Sequence, residues 1–383
     1  VLKRTSRGVL TIATREGHKM NMINPVSEVD QNILNAWLYR KHFEQLTEVD
    51  TLTIISHYLG IYSSQPTSWE AILARNPQIS KLQVIDAENS GDLIRVPGMR
   101  RSKFLMPLDL GEMIFSATRL DISKHEWRLR EVGLSVDDYQ AQIPSILELT
   151  KNTSQSQRQI AKQLNIKSEL VRAMIQVALY QGFLLRVPSD NEWSNLWQYQ
   201  ATPKAIIAKF DTNQTTNDSF YKTIANQYVE NYGPISTKDL AWWLDISQKQ
   251  AKQFLTNSDE CEISEDYWLS KHELNDFLNF KQVLEDETIR FLPAWDPLLM
   301  GYAPQSQARM CFGLEGPIAY DQHGNGKPVI MIGNRCVANW YIKKDKKERQ
   351  LFLEIDALKS NEREKVRGEA RNWAVRIGAK LVE

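Results

Sequence analysis

Apolar residues recur along most of this chain at helical spacing, and near its end at strand spacing. Ile33, Leu34, Trp37 and Leu38 fall at i, i+1, i+4 and i+5, and a second run follows at Leu52, Ile55 and Leu59. Those intervals lay one apolar stripe along a helix. Gly60 stops the second run as a C-cap. Pro66 opens a third helix over Thr67–Arg75, because proline suits a first turn. Leu93–Val96 and Lys103–Met106 read as short strands flanking the basic turn Pro97-Gly-Met-Arg-Arg-Ser102. Helices followed by two strands and a turn predict a first winged helix over residues 29–120.

The same order recurs twice. Ile143–Leu149 is an apolar helix, Ser154-Gln-Ser-Gln157 a capping box ahead of Ile160–Leu164, and Asn165-Ile-Lys167 a turn. Ser168–Leu179 is a long amphipathic helix that Gly182 ends, and Phe183–Val187 is the strand beyond it. Short helix, tight turn and second helix have the proportions of a helix-turn-helix. This predicts a second winged helix over residues 139–190. A third, over residues 220–275, comes from the helix Phe220–Tyr232, then Thr237–Leu244, a capping box at Ser247-Gln-Lys-Gln250, and the alternating stretch Cys261–Ser270. The repeat is one of element order rather than residue identity.

From about residue 285 the period changes to that of strands. Phe291–Leu292, Pro328–Ile332, Cys336–Ile342 and Leu351–Ile355 are strands, Gly333-Asn334 is a hairpin turn, and Ser360–Ile377 is a final helix. Residues 285–383 therefore form a β-rich C-terminal domain, and residues 1–28 an aperiodic arm. The predicted class is α+β: three tandem winged-helix units followed by that domain.

Composition narrows the chemistry. Three cysteines without CxxC spacing argue against a zinc site or disulfide scaffold and for a reducing, cytoplasmic setting. No apolar run reaches membrane-span length. Lys plus Arg equals Asp plus Glu, 47 each. A nucleic-acid binder of this balance needs a local basic groove, since only the local field steers a ligand. No phosphate loop, dinucleotide fingerprint, metalloprotease helix or nucleophile elbow occurs. The expectation is cofactor-free and metal-free chemistry in a monomer that does not engage a membrane.

Two long segments carry more than pattern: Tyr232-Gly-Pro-Ile-Ser-Thr-Lys-Asp-Leu-Ala-Trp-Trp243 and Arg290-Phe-Leu-Pro-Ala-Trp-Asp-Pro-Leu-Leu-Met-Gly-Tyr302. With Asn339-Trp340, they resemble the YGP…DLAWW, LLPAFDPLLLGY and GtW segments of bacterial winged-helix DNA glycosylases that unhook interstrand crosslinks, the AlkZ/YcaQ family. The resemblance runs from about Val29 to the C-terminus. It implies double-stranded DNA as partner, excision of alkylated bases as activity, and a place on the bacterial nucleoid. The family's catalytic QxQ or QxD motif lies in a segment like LGLQAQDP, followed by a helix ending in alanine-arginine. Here that segment is Leu59-Gly-Ile-Tyr-Ser-Ser-Gln-Pro66, and the helix ends at Ala74-Arg75. Tyr62 takes the first glutamine's place and Ser64 the second's, with Gln65 beside it. A second family segment, like MRGTLHLVP, is Met99-Arg-Arg-Ser-Lys-Phe-Leu-Met-Pro107, with Phe104 in the histidine's place.

Tyr62, Ser64, Gln65 and Asp296 are thus the candidate catalytic residues. Breaking an N-glycosidic bond builds positive charge on the sugar, so a site must place water and face the cation with a carboxylate or dipole. Ser64 and Gln65 offer a hydroxyl and an amide, and Tyr62 a ring to stack on a base. None is a strong base, which restricts the reaction to bases that are already cationic. The alternative for Tyr62–Gln65 is a plain turn with Ser64 as N-cap. For Asp296 it is a carboxylate capping a turn. Arg100, Arg101 and Lys103, on the first wing, are candidate phosphate contacts or a solvated basic turn. Lys343–Lys347 reads as a solvated hairpin tip, and His57 as a half-buried histidine. Beside the glycosylase stand two other classes, a non-enzymatic DNA-binding regulator or lesion sensor and a protein-interaction scaffold.

Overall fold

Three times along the chain a helix leads into a short strand, two further helices and two strands. The computed structural model describes residues 3–4, 10–11, 30–63, 69–189, 196–212, 217–258, 260–264, 266–282, 286–345 and 348–382. Ser64 and Gln65 lie outside the described residues, as does most of the arm, of which β1 (Lys3–Arg4) and β2 (Leu10–Thr11) form an antiparallel pair.

The first unit comprises α1 (Gln31–His42), α2 (Thr51–His57), β3 (Ile61–Tyr62), α3 (Trp69–Leu73), α4 (Lys81–Ser90), β4 (Leu93–Pro97) and β5 (Lys103–Pro107). Helices α5 (Leu108–Thr118) and α6 (Glu126–Arg130) lead to the second: α7 (Val136–Thr150), β6 (Gln155–Ser156), α8 (Gln157–Leu164), α9 (Ser168–Gln181), β7 (Leu184–Val187) and β8 (Gln198–Ala201). After α10 (Lys204–Thr212) comes the third: α11 (Asn217–Tyr232), β9 (Ile235–Ser236), α12 (Thr237–Leu244), α13 (Gln248–Thr256), β10 (Glu260–Ser264) and β11 (Tyr267–Ser270). In each of these sheets the last strand lies between the other two, and every pairing is antiparallel.

Local chemistry sets these boundaries. Ser80 with Gln83, Ser135 with Asp138, Ser236 with Asp239 and Ser247 with Gln250 form reciprocal capping boxes that satisfy the first free amides of their helices. The box expected at Ser154–Gln157 is in fact Ser156 with Gln159, because Gln155 and Ser156 first pair with β8. Leu52, expected on the apolar stripe of α2, is exposed, and Ile54 and Ile55 form the buried face.

After α14 (Leu274–Asn279) the chain enters β12 (Ile289–Leu292), α15 (Pro297–Gly301), α16 (Gln307–Cys311), α17 (Gly316–Ala319), β13 (Val329–Ile332), β14 (Arg335–Asp345), β15 (Glu348–Glu354), α18 (Ser360–Arg376) and β16 (Lys380–Leu381). The strands form one sheet in sequence order. Its last pair is parallel, which requires the crossover that α18 supplies. The strand expected at Phe291–Leu292 is Ile289–Leu292, and Asp296 beyond it caps α15.

One hydrophobic core runs without a break through the first unit, the third unit and the C-terminal domain. The second unit has a separate core around Ile146, Val171 and Leu179. Leu185 of β7 nevertheless packs into the first of these cores, so the two bodies meet through apolar as well as polar side chains.

Candidate active site and nucleic-acid interface

The site begins where α2 turns into β3. Leu59 and Gly60 both take positive φ, and a Cβ on Gly60 would come within 2.7 Å of Met106 Cγ. Only glycine permits so sharp an approach to β5. The turn delivers Ile61 and Tyr62 to that strand, and the Ser63 amide donates to the Lys103 carbonyl at 2.8 Å. Tyr62 stands directly opposite Phe104, with ring centroids 4.5 Å apart and planes tilted by 48°. Tyr62 and Phe104 are thus cross-strand neighbours. Burial raises the Tyr62 hydroxyl above its usual range, while the Arg100 guanidinium beside it pulls the other way.

The β4–β5 hairpin separates its three basic residues. Arg100 and Arg101 both adopt left-handed backbone in a turn closed by the Gly98 amide donating to Ser102 at 2.8 Å. Arg100 lies 3.9 Å from the ring centre of Trp242, on α12 of the third unit. Arg309 sits 5.3 Å from the same indole and 4.3 Å from the Tyr320 ring. Neither guanidinium has a carboxylate partner among the described residues. Arg101 is exposed; its amide donates to the Gly98 carbonyl at 3.1 Å and its carbonyl accepts from the Tyr180 hydroxyl at 2.9 Å. Lys103 alternates onto the opposite face of β5 and meets the second unit, with its ammonium 3.0 Å from the Tyr180 hydroxyl.

Asp296 is fully buried and bidentate to Arg75, with Arg75 Nη2 at 2.6 Å from Oδ1 and Nη1 bonded to Oδ2. Oδ1 also accepts from the Leu298 amide at 2.9 Å, so the carboxylate caps α15. Arg75 Nε donates to the Tyr58 hydroxyl at 2.9 Å, and Tyr58 donates to the His42 carbonyl at 2.9 Å. His42 Nε2 lies 2.7 Å from the Tyr302 hydroxyl, which itself donates to the Tyr232 carbonyl at 2.8 Å. Because Tyr302 spends its one proton on Tyr232, His42 must carry hydrogen on Nε2. A buried relay therefore ties the first unit to the third through the Pro293–Tyr302 segment. Gly301 belongs to the same lock, since a Cβ there would collide with the Tyr232 ring at 2.2 Å.

The electrostatics of the relay follow from burial. Burial, then His57, Arg75 and Lys41, lower His42 well below its usual range and keep it neutral. Burial opposes the Arg75 charge, but Asp296 and Tyr58 more than restore it, so its proton is held above the ordinary value. Burial pushes Tyr58 up to about 12. Burial also raises Tyr232 well above its usual range, and Tyr58, Tyr62 and Asp296 add to that rise. Tyr62 and Asp296, distant in sequence, are thereby brought within electrostatic reach of one phenol.

Of the expected site residues, the structure gathers Tyr62, Arg100 and Asp296 about Tyr232 and Trp242, and sets Arg101 and Lys103 toward the second unit. Ser64 and Gln65, as noted, are not described. Sequence reasoning missed Arg309 and Tyr320, which no motif marks. It also missed the role of Trp242, which was visible only as part of the Trp242-Trp243 pair. Among the described residues no group of three or more His, Cys, Asp or Glu could hold a metal. No described helix is long and apolar enough to cross a membrane.

Comparisons with known proteins agree with this architecture. No curated protein sequence matches the chain. A DNA glycosylase AlkZ from Streptomyces sahachiroi has a similar structure, with a TM-score of 0.64 over 93% of this chain and 100% of that one, at 13% identity. That identity speaks for the fold alone. The model of one family, described as DNA glycosylase AlkZ-like, matches residues 56–375, a span that takes in the Tyr62 strand, the first wing, Trp242 and Asp296. This chain therefore belongs to the AlkZ-like DNA glycosylase family.

Proposed function

We propose that this protein is a monofunctional DNA glycosylase whose three repeated units are winged helices closing around duplex DNA on the nucleoid. The observation that carries the reading is the family match over residues 56–375, which includes every described candidate residue: Tyr62, Arg100, Arg101, Lys103 and Asp296. Its substrates are cationic alkylated purines or crosslinks made through them. An alkylated purine weakens its own glycosidic bond, so the site need only aim water at the sugar and hold the extruded base. Ser64 and Gln65 aim the water. Tyr62 packs against the sugar or the lesion. Asp296 acts through Arg75 as a positioning residue, since both its oxygens are already occupied. Arg100, Arg101 and Lys103 meet backbone phosphates.

One observation favours a second reading, a DNA-binding lesion sensor without catalysis. By the family resemblance the glutamine and histidine positions hold Tyr62 and Phe104, which pack against each other and offer neither an amide nor an imidazole to aim water.

Chromatography of free 7-alkylguanine released from alkylated duplex separates the two. The glycosylase reading expects release by the wild type and at least a tenfold fall in Ser64→Ala, Gln65→Ala and Asp296→Asn. A wild type that binds duplex and releases nothing leaves the sensor reading standing.

A further inference from the structure

We propose that the seam between the first and second units is a phosphate seat, formed by Lys103, Arg128 and Arg186 around the Tyr180 ring. The assignment rests on the reading of DNA as partner for its source of phosphate, though not for its chemistry. Tyr180, on α9, is the hub. Lys103 Nζ lies 4.5 Å from its ring centre and 3.0 Å from its hydroxyl, and Arg128 lies 5.2 Å from the ring. His125 stacks on it at 4.8 Å, and the hydroxyl donates to the Arg101 carbonyl. Arg186, on β7, lies 5.4 Å from the Trp197 ring.

Among the described residues, every group that faces Lys103 is cationic or neutral. From α9 come Tyr180 and Gln176, from β7 Arg186, from α6 and the residue before it Arg128 and His125, and from the β4–β5 turn Arg101. Among the described residues the one carboxylate that acts on His125 is Asp121, an exposed cap. Arg128 Nε, Arg186 Nε and His125 Nε2 are all buried without a hydrogen-bond partner among the described residues, and His125 is 3% exposed. Like charges packed into one seam, with buried donors unanswered, are destabilising until an anion arrives. A phosphate, with its several acceptor oxygens, answers all of them at once. The seam also lies between two separate hydrophobic cores, so a phosphate there would tie the two bodies together.

The seat has a pH signature. Burial, then Arg186 and Arg128, lower Lys103 to about 7. A bound phosphate restores the ammonium, so binding takes up a proton. Affinity is therefore highest below pH 7 and falls as pH rises, by up to about tenfold per unit until the bound-state value is passed.

The test uses the full-length chain and two probes. With a labelled duplex, wild-type affinity is expected to drop at least tenfold between pH 6.5 and 8.5, and Lys103→Arg, whose charge does not titrate, to lose most of that drop. Arg128→Gln with Arg186→Gln is expected to flatten the salt dependence by about one unit of slope, the value of one phosphate contact. With inorganic phosphate alone, the Lys103 13Cε resonance is expected to shift toward that of an ammonium. Parallel pH profiles for wild type and Lys103→Arg, together with a Lys103 signal unmoved by phosphate, overturn the seat while leaving DNA binding intact. A protein that binds no duplex but shows the phosphate shift keeps the seat and loses the DNA reading. A shift with phosphate but none with bound duplex assigns the seat to a free phosphate and overturns the backbone assignment.

Discussion

Tyr62 and Phe104 face each other across β3 and β5 with their rings 4.5 Å apart and tilted by 48°. Each of these two positions is therefore held by the other through one aromatic contact.

If the two rings hold each other in place, their substitutions are coupled. Tyr62→Gln and Phe104→His made singly should each destabilise the fold, and the double variant should be less damaged than their sum. A coupling of about 0.5–1.5 kcal/mol is expected for an aromatic pair. Urea unfolding of the four members of the cycle measures it. In the excision assay the double variant is expected to release more 7-alkylguanine than either single one, and additive loss would show that the pair has no functional bearing.

Breaking the Arg75–Asp296 pair should be far more damaging. Removing one partner leaves a charge buried with no counterion, at a cost of about 3–5 kcal/mol. Asp296→Ala is therefore expected to lower the denaturation midpoint sharply, and Arg75→Met with Asp296→Leu to recover much of the loss. An Asp296→Ala protein as stable as wild type would remove the relay from the account of how the first and third units are held together.

Acid should loosen the same region. His42 is held neutral, and burial, then Lys41 and Arg75, lower His57 to about 3. Unfolded, both would titrate near 6.5. The unfolded chain thus binds more protons below that value, so stability contributed above pH 6.5 is lost as pH falls toward 3. The slope is at most about 1.4 kcal/mol per unit for each histidine. Thermal melts from pH 7 to 4 should show this, and His57→Gln should remove about one histidine's share of the slope.

The two wing arginines should separate in their effects. Arg101 is exposed, so Arg101→Ala should weaken duplex binding across sequences and reduce the salt slope by about one, without changing the melting temperature. Arg100 lies on Trp242, and Arg100→Ala should also destabilise, by about 0.5–2 kcal/mol for the lost cation–π contact. Binding isotherms at several salt concentrations, paired with melts, distinguish them. Identical behaviour of the two variants would mean that the Trp242 contact holds nothing in place.

How much of this was legible beforehand depends on the range of the interaction. Helix starts are local: a serine and a glutamine or aspartate three residues on cap a helix wherever they fall, so Ser247–Gln250 could be read from spacing alone. The change from helical to alternating spacing near residue 285 likewise marked four strands of the last sheet, because each period follows from backbone geometry, while the two-residue β16 is too short to show a period. Long-range partners carry no such mark. Asp296 could be singled out as a carboxylate in an apolar run, but its partner Arg75 lies 221 residues away and was noted only as a helix end. Lys103 sat in a basic turn beside Arg100 and Arg101. Strand alternation sent its side chain to one face and its neighbour Phe104 to the other, and only the packing of α9 against that face gave it Tyr180. The chain determined its elements through contacts within a turn or two. The meeting of Tyr62, Trp242 and Asp296 was decided only when the shared core drew the first unit, the third unit and the last domain together.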